Sequence, residues 1–125
     1  MSVDVVLIGR NEGQKLVKSL ASVAPQARRM VYVDSGSTDQ SVANAEQAGA
    51  VVVNLDMSVP FTAARARNEG FAALMAQEDP PDVVQFLDGD CIMADGWLGK
   101  AETHLRSKSD LALVTGLQRE MRRDA

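Results

Sequence analysis

A chain of 125 residues is long enough for one domain. With 46% hydrophobic and 24% charged residues, its composition is that of a globular protein, and its net charge of −4 argues against a general nucleic-acid binder, which needs a basic face. The single cysteine, Cys91, excludes an internal disulfide and a multi-cysteine zinc site, so the reducing cytoplasm is the expected location. The first residues lack the charged and apolar regions typical of a signal peptide, so none is expected, and no apolar run approaches the ~20 residues needed to span a bilayer.

The first 55 residues alternate between apolar runs and amphipathic segments. The apolar runs predict strands at residues 3–8, 30–33 and 51–55. Helices are predicted between them, at about 14–23 and from near Thr38 to 47 or 48, with Leu16, Val17, Leu20 and Val23 forming the buried face of the first. Ser37 followed by Gln40 fits a capping box at the start of the second helix, and Asp39 would lie in its first turn.

The second half continues the same alternation. A helix is predicted at about 62–76, with Phe71, Leu74 and Met75 buried, and a buried strand from Val83 to the acidic residues that follow it. Asp95 is expected to cap a helix at about 96–107, with Trp97, Leu98, Ala101 and Leu105 buried. A fifth strand is predicted at 111–115, and the basic cluster at 119–123 is interpreted as solvated surface.

This order predicts an α/β protein with an open, mainly parallel, Rossmann-like sheet and helices on both faces, because the connections are long enough for crossover helices. In such sheets ligands bind beyond the carboxyl ends of the strands. Three predicted strands end in polar groups there: Arg10, Asn11 and Glu12; Asp34, Ser35, Gly36, Ser37, Thr38 and Asp39; and Asp88, Gly89 and Asp90.

Asp88 and Asp90 are candidate metal ligands. Two carboxylates this close repel each other unless a cation or strong donors lie beside them, and oxygen ligation suits Mg²⁺ or Mn²⁺. The alternative is that Asp-Gly-Asp is only an acidic turn, which a lone occurrence of so short a pattern would favour. No Gly-x-Gly-x-x-Gly or P-loop pattern is present, so a diphosphate bound here would have to be neutralised by the metal.

Other rim residues have two interpretations each. Asp34 can accept a hydrogen bond from a pyrimidine N–H or a ribose hydroxyl, or it can merely order the turn that follows it. Arg65 and Arg67 diverge around their helix, so only one of them can readily face the crevice. His104 is interpreted as a surface or packing residue and Cys91 as a small buried side chain, which leaves no Cys/His nucleophile pair.

Four stretches together resemble family 2 glycosyltransferases with the A-type glycosyltransferase fold. They are Ile8-Gly-Arg-Asn-Glu12, Tyr32-Val-Asp-Ser-Gly-Ser-Thr-Asp39, Ala66-Arg-Asn-Glu-Gly70 and Phe86-Leu-Asp-Gly-Asp90. Each is weak alone, but they occur in the family's order and at family-like spacing over about residues 3–116. The resemblance implies an inverting, hexosyltransferase-type enzyme that uses a nucleoside-diphosphate sugar, Mn²⁺ or Mg²⁺ and an acceptor glycan, lipid or protein.

The resemblance also implies residue roles. Asp34 would bind the nucleobase, Glu12 would line the nucleotide site, and Arg67 would reach toward the base or diphosphate. Asp90 would bind the metal directly, with Asp88 nearer the ribose. The implied nucleotide-sugar-binding set is Arg10, Glu12, Asp34, Ser35, Arg67, Asp88 and Gly89, and the implied metal-binding set is Asp88 and Asp90.

Family members continue well beyond the length of this chain, and their catalytic base and acceptor site lie in that later half. The expectation is therefore one domain over residues 1–125, a donor-binding half that is inactive alone, whose open sheet edge would favour self-association. Two alternatives are a non-catalytic nucleotide-sugar-binding module and a sugar-phosphate nucleotidyltransferase. The second would need a basic, Gly-rich loop after the first strand, and residues 9–13 match such a loop poorly.

Overall fold

The computed structural model describes residues 2–116 and 118. The elements, in chain order, are β1 (Val3–Gly9), α1 (Gln14–Val23), β2 (Arg29–Asp34), α2 (Ser41–Gln47), β3 (Val51–Asn54), α3 (Ala63–Met75), β4 (Val83–Asp88) and α4 (Trp97–Ser107). The four strands pair in parallel in the order β3-β2-β1-β4. The predicted α/β class with an open parallel sheet is confirmed.

The core lies on both faces of the sheet because alternate residues of β1 point in opposite directions. Val5 and Leu7 pack on one face in a cluster to which α1, α2 and α4 contribute. Val6 and Ile8 pack on the other face against α3. Helices therefore cover both faces, as predicted, and β1 is buried from both sides.

The first helix has the predicted bounds, although Val17 lies on its exposed side. The second helix begins at Ser41 rather than near Thr38, so the predicted capping box is wrong. The Ser37 hydroxyl donates to the Asp34 carboxylate at 2.6 Å and accepts from the N–H of Asn11 at 2.9 Å, rather than from an N–H of the helix. Asp39 precedes the first turn, where its carboxylate accepts a hydrogen bond from the N–H of Ser41 at 2.9 Å.

The third helix packs on the sheet through two small residues and one leucine. Ala66, Gly70 and Leu74, spaced by four, are its buried positions. The prediction that Phe71 and Met75 are buried is wrong, since both are exposed. Alanine and glycine at two of these three positions allow the helix to approach the sheet closely, and Phe71 and Met75 lie on its exposed flank.

The fourth strand lies at the edge of the described sheet, and its predicted full burial is wrong, since Phe86 is exposed. The predicted fifth strand is absent, since residues 111–116 have no regular structure. Gly96, in a left-handed conformation, precedes α4 without any side-chain cap, so the predicted Asp95 cap is also wrong. Of the residues predicted to be buried in α4, only Leu98 is fully so.

Among residues 2–116 and 118, no helix combines the length and apolarity that crossing a bilayer requires. The basic cluster at 119–123, interpreted from the sequence as solvated surface, lies outside the described residues.

Candidate functional site

The polar side chains predicted to converge do so at the carboxyl ends of β1, β2 and β4, which we call the rim. In the register of the sheet, Gly9 of β1 lies beside Asp34 of β2, and Ile8 of β1 lies beside Asp88 of β4. Asp34 and Asp88 thus flank the end of β1 on strands about 10 Å apart, two strand spacings. This arrangement follows from the parallel topology.

Two loops of the rim are fastened together through Asn11, whose backbone is left-handed with φ of 52°. Its side-chain oxygen accepts hydrogen bonds from the N–H groups of Thr38 at 2.7 Å and Asp39 at 3.3 Å. Its own N–H donates to the hydroxyl of Ser37 at 2.9 Å, and the N–H of Gly13 donates to the carboxylate of Asp39 at 3.1 Å. Asparagine tolerates this conformation better than most residues, and here it fixes the loop after β1 against the loop after β2.

Asp34 is 3% exposed and accepts three hydrogen bonds from the described residues. The hydroxyls of Tyr32 and Ser37 donate to Oδ1 at 2.7 and 2.6 Å, and the N–H of Ser37 donates to Oδ2 at 2.8 Å. Burial, and then the hydrogen bond and charge of Asp34, raise the pKa of Tyr32 above its ordinary value, so its hydroxyl remains a donor. Asp34 therefore does order the turn, and its binding of a base stays a prediction.

The two arginines of α3 diverge, as expected from their spacing. Arg67 Nη2 lies 3.3 Å from Asp88 Oδ1, with both side chains about half exposed. Arg65 turns the other way and donates to the carbonyl oxygens of Asp56 at 2.8 Å and Val59 at 3.3 Å. Arg67 is thus the arginine that α3 presents to the acidic pair, while Arg65 anchors the loop before its own helix.

The Asp88-Gly89-Asp90 stretch is a tight turn. The N–H of Gly89 donates to the carbonyl oxygen of Ile8 at 2.7 Å, and that of Cys91 donates to the carbonyl oxygen of Asp88 at 3.0 Å. A Cβ at Gly89 would lie 3.0 Å from the Ile8 oxygen, a backbone atom that cannot move aside, so glycine is needed here. The turn leaves the Asp90 carboxylate exposed to solvent.

A third carboxylate lies close to this pair. Burial raises the pKa of Glu12, and the negative charge of Asp90 raises it further, while Lys15 opposes them. Burial and the charge of Asp90 also raise the pKa of the Cys91 thiol, whose Sγ lies 3.6 Å from Asp90 Oδ1. Cys91 therefore remains a thiol at neutral pH, and it is partly rather than fully buried, contrary to the prediction.

The acidic pair fits a hard divalent cation that also binds oxygens from a ligand. No three His, Cys, Asp or Glu side chains in the described part of the chain are arranged to hold a metal by themselves. Asp90 offers an exposed carboxylate, and Asp88 has one oxygen beyond the contact with Arg67. Two carboxylates with water and phosphate oxygens are the usual environment of Mg²⁺ or Mn²⁺ bound with a nucleotide.

The other predicted site residues differ in accessibility. Arg10 is exposed, and its side chain contacts no charged or hydrogen-bonding partner among residues 2–116 and 118, so it is free to reach a ligand. Ser35 is buried, and its N–H donates to the carbonyl oxygen of Gly9 at 3.0 Å. His104 lies on an exposed face of α4 in a shallow groove with Lys100, and none of the rim residues lines this groove.

Two residues of the site gained a role only from the structure. Tyr32 was predicted as an ordinary strand residue, although it lies two positions before Asp34 and a period of two places both side chains on one face. The sequence predicted that Asn11 lies at the rim. Its contacts with the loop after β2 join residues far apart in the sequence, and no local sequence pattern predicts them.

Comparison with known proteins agrees with this geometry. The profile of glycosyl transferase family 2 matches residues 4–124. A TPR repeat-containing protein of Synechococcus elongatus is 34% identical over 109 residues, which cover 86% of this chain and 24% of that protein. The chain therefore spans about a quarter of the length of this relative.

Solved structures share the fold. Glucosyl-3-phosphoglycerate synthase from Mycobacterium tuberculosis, in complex with Mn²⁺, UDP and glucosyl-3-phosphoglycerate, is 25% identical with a TM-score of 0.63, over 84% of this chain and 39% of that one. The same synthase in complex with Mg²⁺ and UDP gives 25% and 0.62, over 84% and 39%. S. aureus TarS shares the fold at 22% identity with a TM-score of 0.68, over 86% and 33%. Since the family profile spans nearly the whole sequence, this chain belongs to glycosyl transferase family 2.

Proposed function

We propose that this chain is the donor-binding domain of an inverting glycosyltransferase, which transfers a sugar from a nucleoside diphosphate to an acceptor hydroxyl with the help of Mn²⁺ or Mg²⁺. The observation that carries the proposal is the convergence of Asp34, Arg67 and the Asp88–Asp90 turn at one rim. The M. tuberculosis relative, which has the same fold, is complexed with Mn²⁺ and UDP, and this supports a metal-bound nucleotide.

Each rim residue receives a role that suits its chemistry. Asp34 would accept a hydrogen bond from the base, and Asp88 one from a ribose hydroxyl. Arg67 would approach the base or the diphosphate, and Asp90 would ligate the metal. The remaining members of the proposed nucleotide-sugar site are Arg10, Glu12, Ser35 and Gly89.

The proposed reaction is a single displacement at the anomeric carbon. The acceptor oxygen forms a new bond to this carbon as the bond to the phosphate oxygen breaks, so the configuration inverts and the diphosphate leaves with the electron pair. A divalent cation held by Asp90 and Asp88 would neutralise the negative charge that develops on the leaving diphosphate. The hydroxyl proton passes to a general base.

We assign that base to no residue of this chain. The chain spans 39% and 33% of two solved relatives, so we propose that the base and the acceptor-binding half lie outside it. On this proposal the chain alone binds a donor without turnover. A transfer assay with donor and simple acceptors that showed turnover by these 125 residues would contradict it.

Replacing Asp90 with alanine is expected to abolish the metal-dependent part of UDP binding. Outer-shell partners of a metal ligand are worth about 10- to 100-fold in affinity, so losing a ligand should cost at least about tenfold. Calorimetry with UDP in Mn²⁺ and in EDTA measures this. Asp95→Ala, which removes an exposed carboxylate from the same loop, is the control and should behave as the parent chain. UDP affinity independent of Mn²⁺ and unchanged in Asp90→Ala would contradict the proposal.

Replacing Arg67 with alanine should weaken UDP binding by about tenfold, because a hydrogen bond to a charged group contributes roughly 1.5–3 kcal/mol. Arg65→Ala is a matched control, since it removes an arginine from the same helix turn that faces away from the acidic pair. The same titration should show near-parental affinity for Arg65→Ala. Equal losses in the two variants would argue against a direct role for Arg67.

A further inference from the structure

The hydrogen bonds of Asp34 leave its carboxylate with little capacity for a ligand. An ionised carboxylate has about four accepting positions, two on each oxygen. Oδ1 already receives the hydroxyls of Tyr32 and Ser37, and Oδ2 receives the N–H of Ser37. One position on Oδ2 therefore remains, and Oδ1 has none.

The two hydroxyl groups that donate to Oδ1 belong to the core and to a hydrogen-bonded loop, not to mobile surface side chains. The ring of Tyr32 is fully buried, and a Cβ at Gly9 would lie 3.4 Å from both its Cε1 and its hydroxyl oxygen, so the hydroxyl is held directly beneath the end of β1. The Ser37 hydroxyl is fixed from the other side by the N–H of Asn11 at 2.9 Å. The packed sheet and the hydrogen-bonded loops thus hold both hydroxyl oxygens within 2.7 Å of Oδ1.

We propose that Tyr32 is a positioning residue that sets the base specificity of the donor site, because its hydroxyl restricts Asp34 to accepting a single hydrogen bond from the ligand. Guanine presents two adjacent donors, N1–H and the N2 amino group, and pairs best with a carboxylate whose two oxygens are both free. Uracil presents one donor, N3–H, between two carbonyl groups. The site therefore selects a base with a single-donor edge, such as uracil, over guanine.

This inference rests on the proposed function, since it concerns the same nucleotide site. Its test is calorimetry of the 125-residue chain in Mn²⁺ with UDP and, separately, with GDP. The parent chain should bind UDP at least about tenfold more tightly than GDP, the loss expected for one unmade hydrogen bond to a charged group. In Tyr32→Phe the ring is kept and Oδ1 regains an accepting position, so the ratio of GDP to UDP dissociation constants should fall by about tenfold.

Ser37→Ala frees the other position on Oδ1 and should lower the ratio in the same direction, which keeps the test available if Tyr32→Phe does not fold. Thr103→Ala removes a hydroxyl on α4 that donates to the carbonyl oxygen of Gly99, and it should leave the ratio unchanged. Equal binding of UDP and GDP by the parent chain, or full discrimination by both rim variants, would overturn the role of Tyr32 and leave the proposed function standing. Failure to bind either nucleotide would overturn the proposed function, and this inference with it.

Discussion

Replacing Gly70 with leucine is expected to destabilise the domain by about 3 kcal/mol or more, at the upper end of the usual cost of overpacking a core. Gly70 is a buried position of α3 that faces β1 and β2. A methyl group there would overlap the side chain of Val6 and lie 3.0 Å from Val33 Cγ2. Both valines are buried β-branched residues of strands, and their stiff side chains cannot retreat.

Alanine at Gly70 separates packing from helix propensity. Exchanging a helical glycine for alanine normally stabilises by about 1 kcal/mol, and Gly99→Ala on α4, where an added Cβ has nothing within 4 Å, should show this gain. Gly70→Ala should instead destabilise, because the overlap with Val6 outweighs the propensity. Urea unfolding followed by circular dichroism measures both variants. Equal stabilisation of the two would show that α3 does not approach the sheet as closely as described.

The order and type of the eight elements were predictable because each carries its signal locally. Apolar runs of four to seven residues gave the strands, and the spacing of Leu16, Leu20 and Val23 gave α1 with its bounds. The burial of α3 was not predictable in the same way. Two of its buried positions are alanine and glycine. The large apolar residues Phe71 and Met75 therefore indicated the wrong buried face.

The position of a strand within the sheet depends on contacts between segments far apart in the sequence, so the apolar pattern of the strand itself does not indicate it. Val83–Asp88 reads as a strand buried from both sides, but within the described residues it forms the edge beside β1. The apolar run at 111–115 resembles a strand equally well and pairs with nothing described. Strand propensity therefore identifies the segments that are able to form strands, but it does not predict which of them pair with a neighbouring strand.

The rim was predictable because parallel strands bring their carboxyl ends to one edge. Asp34, Asp88 and Asp90 were found from this rule and from the family resemblance together. The contacts that define the chemistry of Asp34 were not predictable, since Tyr32 donates from within the strand and Ser37 was expected to cap a helix instead. Whether a hydroxyl oxygen accepts from the N–H of its own helix or from that of a neighbouring loop depends on distances that a sequence does not contain.

A second charged cluster lies at the opposite ends of the strands from the rim, and its contacts were not predicted from the sequence. Asp4 interrupts the apolar run of β1 and is fully buried. Arg28 Nε donates to its Oδ1 at 3.0 Å and Arg28 Nη2 to its Oδ2 at 2.8 Å, while Arg29 Nε lies 3.7 Å from Oδ2. Both arginines also contact the exposed Asp79. The two-pronged guanidinium contact thus compensates the hydration that the Asp4 carboxylate loses in the core.

Replacing Asp4 with alanine is expected to destabilise the domain by about 3 kcal/mol, because removing one partner of a buried pair leaves the other charge uncompensated. Arg28 would lose both of its hydrogen bonds to Asp4, and Arg29, whose side chain is only 18% exposed, would lose its contact at 3.7 Å. The control is Arg106→Ala, which breaks the exposed pair with Glu102 on α4 and should change stability by no more than about 0.5 kcal/mol.

The measurement for Asp4 is again urea unfolding, with the parent chain and Arg106→Ala in parallel. A further variant distinguishes charge from packing: Asp4→Leu combined with Arg28→Met replaces the pair by apolar groups of similar size and should recover part of the loss, because it leaves no buried charge on the carboxylate side. A loss for Asp4→Ala as small as that for Arg106→Ala would mean that the arginines find equivalent partners in solvent. The pair would then contribute little to stability, despite its burial and two-pronged geometry.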